Sequence, residues 1–117
     1  MIPRMVMAVA VLLATLAFAC DARAEECELY TITAYSAEDY PGVMANGTTT
    51  GSALVRGIRV AAGSRNLELG ARVSVSGVGD VEITDRGLLG VRHIDLLMAT
   101  TAEAITWGVQ TREVCRV

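Results

Sequence analysis

From Leu29 onward, apolar and polar positions alternate in short runs with a period of two, the spacing of half-buried strands. In "LYTITAYS" (29–36), Leu29, Thr31, Thr33 and Tyr35 fall on one side and Tyr30, Ile32 and Ala34 on the other. "GIRVAAG" (57–63) and "ARVSVSG" (71–77) are brief runs bounded by glycine. "DVEIT" (80–84), "RHIDLL" (92–97) and "VQTREVCRV" (109–117) complete the series. One stretch departs from the pattern. "TTAEAITWG" reads as a short helix, with Thr100 or Thr101 capping its first turn, Gly108 ending it, and Ile105 and Trp107 fastening it to the strands. Between 37 and 52, "AEDYPGVMANGTTTGS" carries Pro41-Gly42, Asn46-Gly47 and three consecutive threonines, which mark an ordered loop rather than a regular element. Asn46-Gly47-Thr48 also fits a glycosylation acceptor, but Asn-Gly is first a turn signal. Six short strands in so few residues predict an all-β barrel with one short helix, because closure leaves no exposed edge.

The first residues do not follow this pattern. "MIPRMVMAVAVLLATLAFACDARAEEC" has one early charge, Arg4, followed by an uncharged apolar stretch from Met5 to Ala19, the layout of a secretory signal. That stretch is short for a membrane span. Ala22 and Ala24 meet the small-x-small requirement for cleavage before Glu25. Lipid attachment at Cys20 is the alternative, disfavoured by Ala17 in place of leucine and by the bulky Phe18; an uncleaved anchor helix is a third reading. The expected organisation is a signal peptide helix (1–24) and one barrel domain (25–117), exported to the periplasm or cell envelope. Contact with the membrane would come only through the signal or a lipid at Cys20.

Cleavage there leaves two cysteines, Cys27 and Cys115, near the two ends of the mature chain. An exported domain meets an oxidising compartment, so an internal bridge is expected. With one histidine in the chain and no Cys-x-x-Cys, neither a zinc site nor a catalytic thiol is expected. From residue 25 the chain holds eight arginines, no lysine and twelve acidic residues, a formal charge near −4, which argues against nucleic acid as a partner.

Candidate chemistry concentrates in "VEITDRGLLGVRHIDLL" (81–97), where Asp85 and Asp95 interrupt a mostly apolar run. Alternation puts Val81 and Ile83 on one side, with Asp85 the first residue beyond the strand end and Gly87 permitting a turn. On the next strand, Ile94 and Leu96 share one face and His93, Asp95 and Leu97 the other. If these strands are close, both carboxyls reach a common surface, where mutual repulsion and an apolar wall favour one of them keeping its proton, as a general acid needs. The alternative is structural: Asp85 caps the turn, and Asp95 pairs with Arg86 or Arg92. His93, two residues from Asp95, is either a base or ligand or an ordinary strand histidine. Tyr30, Tyr35, Tyr40 and Trp107 are candidates for stacking on sugars, Tyr35 foremost.

Taken in order, "TITAYS", "ANGTTTG", "VAAG", "LELG", "VEITDRG", "HIDL" and "AITWGVQTREV" resemble the bacterial three-aspartate (3D) domain, over residues 29 to 117. The resemblance implies a six-stranded double-psi β-barrel, similar to that of membrane-bound lytic transglycosylase A, rare lipoprotein A and expansins. It implies that Asp95, in the I-D motif, is the acid/base and that Asp85, in Asp-Arg-Gly, assists it or is itself the catalytic residue. The chain departs from the family at "VAAGS", where Ala62, Gly63 and Ser64 stand in place of the first aspartate, or of the histidine of rare lipoprotein A. Leu88 replaces the second glycine after Asp85, and the interval from Asp85 to Asp95 is a residue short.

The implied function is peptidoglycan-directed. It is lytic transglycosylase-like cleavage of the bond between N-acetylmuramic acid and N-acetylglucosamine, a carbon–oxygen lyase reaction. Sugar contacts would come from Tyr35, Thr48, Thr49, Thr50, Gly87 and His93. The alternative is an expansin-like wall-binding or wall-remodelling module without catalysis. No cofactor or metal is implied; the partner is a glycan strand and the protein a monomer.

Overall fold

The computed structural model describes residues 26–87 and 89–117; the expected signal segment (1–24) and Leu88 lie outside the described residues. Six strands form, β1 (Cys27–Ser36), β2 (Arg59–Gly63), β3 (Arg72–Val75), β4 (Gly79–Arg86), β5 (His93–Met98) and β6 (Gln110–Arg116). They close into a barrel in the order β1-β5-β2-β4-β3-β6. Two pairs are parallel, β1 with β5 and β2 with β4, and the remaining neighbours are antiparallel. Each expected strand run lies on one of these six.

Alternation explains the interior. Tyr30 and Ile32 of β1, Val73 and Val75 of β3, Val81 and Ile83 of β4, and Ile94 and Leu96 of β5 point inward and are buried, closed off by Leu67 and Val114. Fully burying one such aliphatic side chain stabilises the fold by about 1.5–3 kcal/mol. Gly63 is required at a close approach: a Cβ there would stand 2.8 Å from Cγ2 of Ile83.

Among the described residues two helices are present, where one short helix was expected beside the strands. The expected helix is α2 (Thr101–Trp107), capped by Thr100, whose side chain accepts from the Glu103 amide, and ended by Gly108 at φ 68°. Trp107 fastens it, donating from Nε1 to the Ile32 carbonyl at 3.0 Å. Ile105 does not; it is 74% exposed and borders an open groove instead of packing into the core. The additional helix, α1 (Thr50–Leu54), grows out of the threonine loop with Thr49 as its N-cap. Five residues cannot hold a helix by propensity. Ala53 secures it by packing with Met44, Val60 and Leu97 in a second small apolar cluster outside the barrel. The Asn46-Gly47 turn is present, with Gly47 at φ 88° and the Thr48 amide donating to Asn46 Oδ1 at 3.0 Å.

The other difference concerns Asp85, which lies inside β4 and not beyond its end. The β2–β4 register runs Ala61 with Ile83, then Ala62 with Asp85, skipping Thr84. This bulge buries Ile83 and Thr84 in succession. Strict alternation from Val81 and Ile83 would have sent Asp85 into the core; the extra residue turns it outward.

Cys27 and Cys115 are opposite one another on β1 and β6 and form a disulfide across a sequence separation of 88. Opening so long a loop costs about 4 kcal/mol on a chain-entropy estimate. A Cys27→Ser/Cys115→Ser variant should melt at least about 15 °C lower than the oxidised wild type by circular dichroism, given the usual slope for a domain of this size.

Candidate functional site

The bulge places the two aspartates on either side of one small residue. Ala62 of β2 is in register with Asp85 on β4 and with Asp95 on β5. Two interstrand spacings put the aspartate backbones about 10 Å apart. Both carboxyls line a groove of about 610 Å³, with Ala62 as its floor. Thr33, Tyr35, Asp39 and Tyr40 form one wall, Arg86 and Gly87 lie beside Asp85, and Thr101, Ala104 and Ile105 of α2 complete it. Beyond Tyr35 and Tyr40 a second depression of about 440 Å³ continues over Pro41, Gly42, Val43, Met44 and Thr50. Both depressions are bordered by Tyr35, Asp39, Tyr40 and Asp85, so they form one elongated cleft with the tyrosines as a ridge.

The two aspartates have different surroundings. Asp85 Oδ1 accepts from the Arg86 amide and from the Ala45 amide of the threonine loop, each at 2.9 Å. It therefore performs the turn-capping role and also ties down the loop that carries Met44. Asp95 is not paired with arginine among the described residues. Arg86 instead donates from Nη1 to the Ser64 carbonyl at 3.2 Å, while Arg56 pairs with Glu82 at 3.1 Å. Asp95 Oδ1 accepts from Thr33 Oγ1 at 2.9 Å. Burial raises its carboxyl above the ordinary range, against the smaller lowering effects of the Thr33 hydrogen bond and the His93 charge. Such a group holds its proton more readily than an exposed aspartate.

Tyr35 of β1 borders the same groove as both aspartates. Burial first, then the charges of Asp85 and Asp95, push its phenol well above the ordinary range, so it is a neutral donor at any physiological pH. Its ring meets Tyr40 edge to face, with centroids 6.3 Å apart at 70°. Tyr40 is 65% exposed and presents an aromatic surface to the cleft. Tyr30 does not: it is buried, and its hydroxyl accepts from Asn66 Nδ2 at 2.6 Å. Trp107 is occupied under α2 and by Arg112, 5.6 Å from its ring.

Of the expected sugar contacts, Tyr35 and Gly87 line the main groove and Thr50 the second depression. Thr48 and Thr49 line neither. The Thr49 hydroxyl is committed to α1, accepting from the Ser52 amide at 3.2 Å. His93 also lies off the groove wall, its Nε2 held 2.7 Å from Thr33 Oγ1 behind Asp95.

One residue of the site escaped sequence reading, and another was named only as the place of a missing acid. Thr33 was legible only as an outward position, yet the parallel register of β1 and β5 sets it directly beside Asp95. Ala62 offers no chemistry of its own, and its place between the acids depends on the bulge. The one cluster of metal-ligand type among the described residues, Cys27, Glu113 and Cys115, has its two sulfurs in the disulfide. No family model and no curated protein matches this chain.

An aspartate whose folded-state carboxyl is raised favours the fold when protonated. That stabilisation is complete below 3.8, the ordinary value, and is lost as pH rises through the raised value. Asp95→Asn keeps an acceptor for Thr33 without the charge. The variant should melt higher than wild type at neutral pH, with the gap closing in a differential scanning calorimetry series taken to about pH 3. A gap that widened on acidification would contradict the assignment.

Proposed function

We propose that the protein is a peptidoglycan-directed barrel of the three-aspartate type, which cleaves glycan strands by a lytic transglycosylase-like reaction. The single observation that carries this reading is one cleft holding a desolvated aspartate, ion-paired with no arginine among the described residues, beside a second aspartate. The two parallel pairs in a closed six-stranded barrel support the double-psi topology, and the TITAYS, DRG and HIDL segments meet at that cleft as the resemblance implies. Export to the periplasm or cell envelope belongs to the same reading.

In the reaction, protonated Asp95 gives its proton to the oxygen joining C1 of N-acetylmuramic acid to N-acetylglucosamine, and the C1–O bond breaks with the electron pair leaving on that oxygen. The muramic 6-hydroxyl oxygen then bonds to C1 while the Asp95 carboxylate takes the hydroxyl proton. A 1,6-anhydro ring forms, Asp95 is reprotonated, and no water is consumed. One carboxyl acts as acid and then base, so the two-carboxylate spacings of hydrolytic glycosidases do not apply. Thr33 orients Asp95, Asp85 lies across Ala62 where positive charge develops at C1, and Tyr35 and Tyr40 border the sugar path.

Binding without cleavage is the second reading, favoured by Ala62, which leaves the position between the acids without a functional group. Incubation with purified sacculi separates the two. Catalysis predicts soluble anhydro-muropeptides by mass spectrometry, reduced at least about a hundredfold in Asp95→Asn, the usual lower range for loss of an acid/base group. Co-sedimentation with sacculi without product would establish the binding module, and neither result would remove the peptidoglycan assignment.

A further inference from the structure

His93 sits behind the groove, but it is hydrogen-bonded to it. Its Nε2 is 2.7 Å from Thr33 Oγ1, and that hydroxyl is 2.9 Å from Asp95 Oδ1. The hydroxyl has one proton to give and can donate in only one direction at a time. While Asp95 is a carboxylate it takes that proton bond, so Thr33 must accept from His93 through an Nε2–H. When Asp95 carries a proton aimed at Thr33, the chain runs the other way: Thr33 donates to Nε2, which must then be bare, with the ring hydrogen on Nδ1. An imidazolium, protonated on both nitrogens, forbids this second arrangement.

We propose that His93, Thr33 and Asp95 act as one proton-linked unit, in which an imidazolium at His93 holds Asp95 as carboxylate and a neutral imidazole lets Asp95 keep its proton. His93 is then a positioning residue that acts on the groove through Thr33 and touches no substrate. Other charged groups facing Asp95 do not substitute for it. From β4 come Asp85, already bound by two backbone amides, and Arg86, turned to the Ser64 carbonyl. From β1 and the loop after it come Tyr35, a neutral phenol, and Asp39. From β2 the facing residue is Ala62, which has no charge. From α2 the groove receives Thr101, Ala104 and Ile105, while Glu103 borders a separate depression beside Arg59. The chain through Thr33 is thus the path by which a titrating group off the groove reaches Asp95.

As a statement about catalysis this rests on the transglycosylase reading, but its test needs no substrate. The carboxyl carbon of Asp95 and the ring carbons of His93 are followed by NMR across the acid and neutral range in the folded protein. The Asp95 curve should contain an inflection coincident with the His93 ring titration. His93→Gln, whose amide still donates to Thr33 without titrating, should abolish that inflection and move the Asp95 midpoint up by about half a pH unit or more. Linkage requires the reciprocal change, loss of the low-pH inflection of His93 in Asp95→Asn. Thr33→Val should uncouple the two curves and Thr33→Ser should restore coupling. An Asp95 curve unaltered by His93→Gln overturns the proposal even if Thr33→Val does not fold. Equal coupling in Thr33→Val and wild type also overturns it, by showing that the charge acts through space alone. Sacculi left intact would not alter these curves, so failure here and failure of the proposed reaction are distinguishable.

Discussion

A single irregularity in β4 governs what this barrel can do. Because side chains on a strand alternate, an acidic residue four positions after Val81 is destined for the apolar interior, where an isolated charge is prohibitively costly. Skipping Thr84 in the pairing with β2 reverses the parity at that point. Thr84 is buried beneath the threonine loop, where its hydroxyl donates to the Met44 sulfur at 3.2 Å, and Asp85 turns to the groove. The outward turn allows the Ala45 amide to reach Asp85, which fastens the threonine loop onto the barrel. The pairing of the acids and the docking of the loop at Ala45 both follow from one inserted residue.

The strands were legible in the sequence because their alternation is strong and local. Leu29 to Ser36 and His93 to Leu97 each divide into two sides, and Tyr30, Ile32, Ile94 and Leu96 share the barrel core while Leu97 is buried in the second cluster. The capped helix at Thr101–Trp107 was legible for the same reason, since its Thr100 and Gly108 signals lie within one short window. What was hidden depends on partners distant in the chain. "TGSAL" has a glycine and a serine and becomes helical because Ala53 finds Val60 and Leu97 beneath it. The strand position of Asp85 was hidden because a bulge shows only in the pairing with β2. The aspartates could be nominated from their unexpected polarity, but Thr33, sixty residues from His93 in sequence, joins them only through the parallel pairing of β1 with β5.

The site also displays a conflict between stability and use. Asp95 takes one side-chain hydrogen bond and no arginine ion pair among the described residues, in a partly desolvated groove whose lining includes Ala62, Ala104 and Tyr35. A carboxylate placed for stability would have gathered more donors, as Asp85 has done with two backbone amides. The asymmetry separates the roles: one acid secures the architecture, and the other is kept in surroundings where its proton is exchangeable at modest cost.

The disulfide has a bearing on how such a domain can be mounted. Cys27 opens β1 and Cys115 lies near the end of β6, whereas the groove is built around Thr33 and Tyr35, roughly 20–25 Å further along β1 at the usual rise per residue. The first and last described residues, Glu26 and Val117, therefore lie together at the pole remote from the cleft. A tag joined after Val117 would start from that pole, away from the cleft, and a pull on Glu26 and Val117 would load the sulfur bridge before the strands that hold the acids.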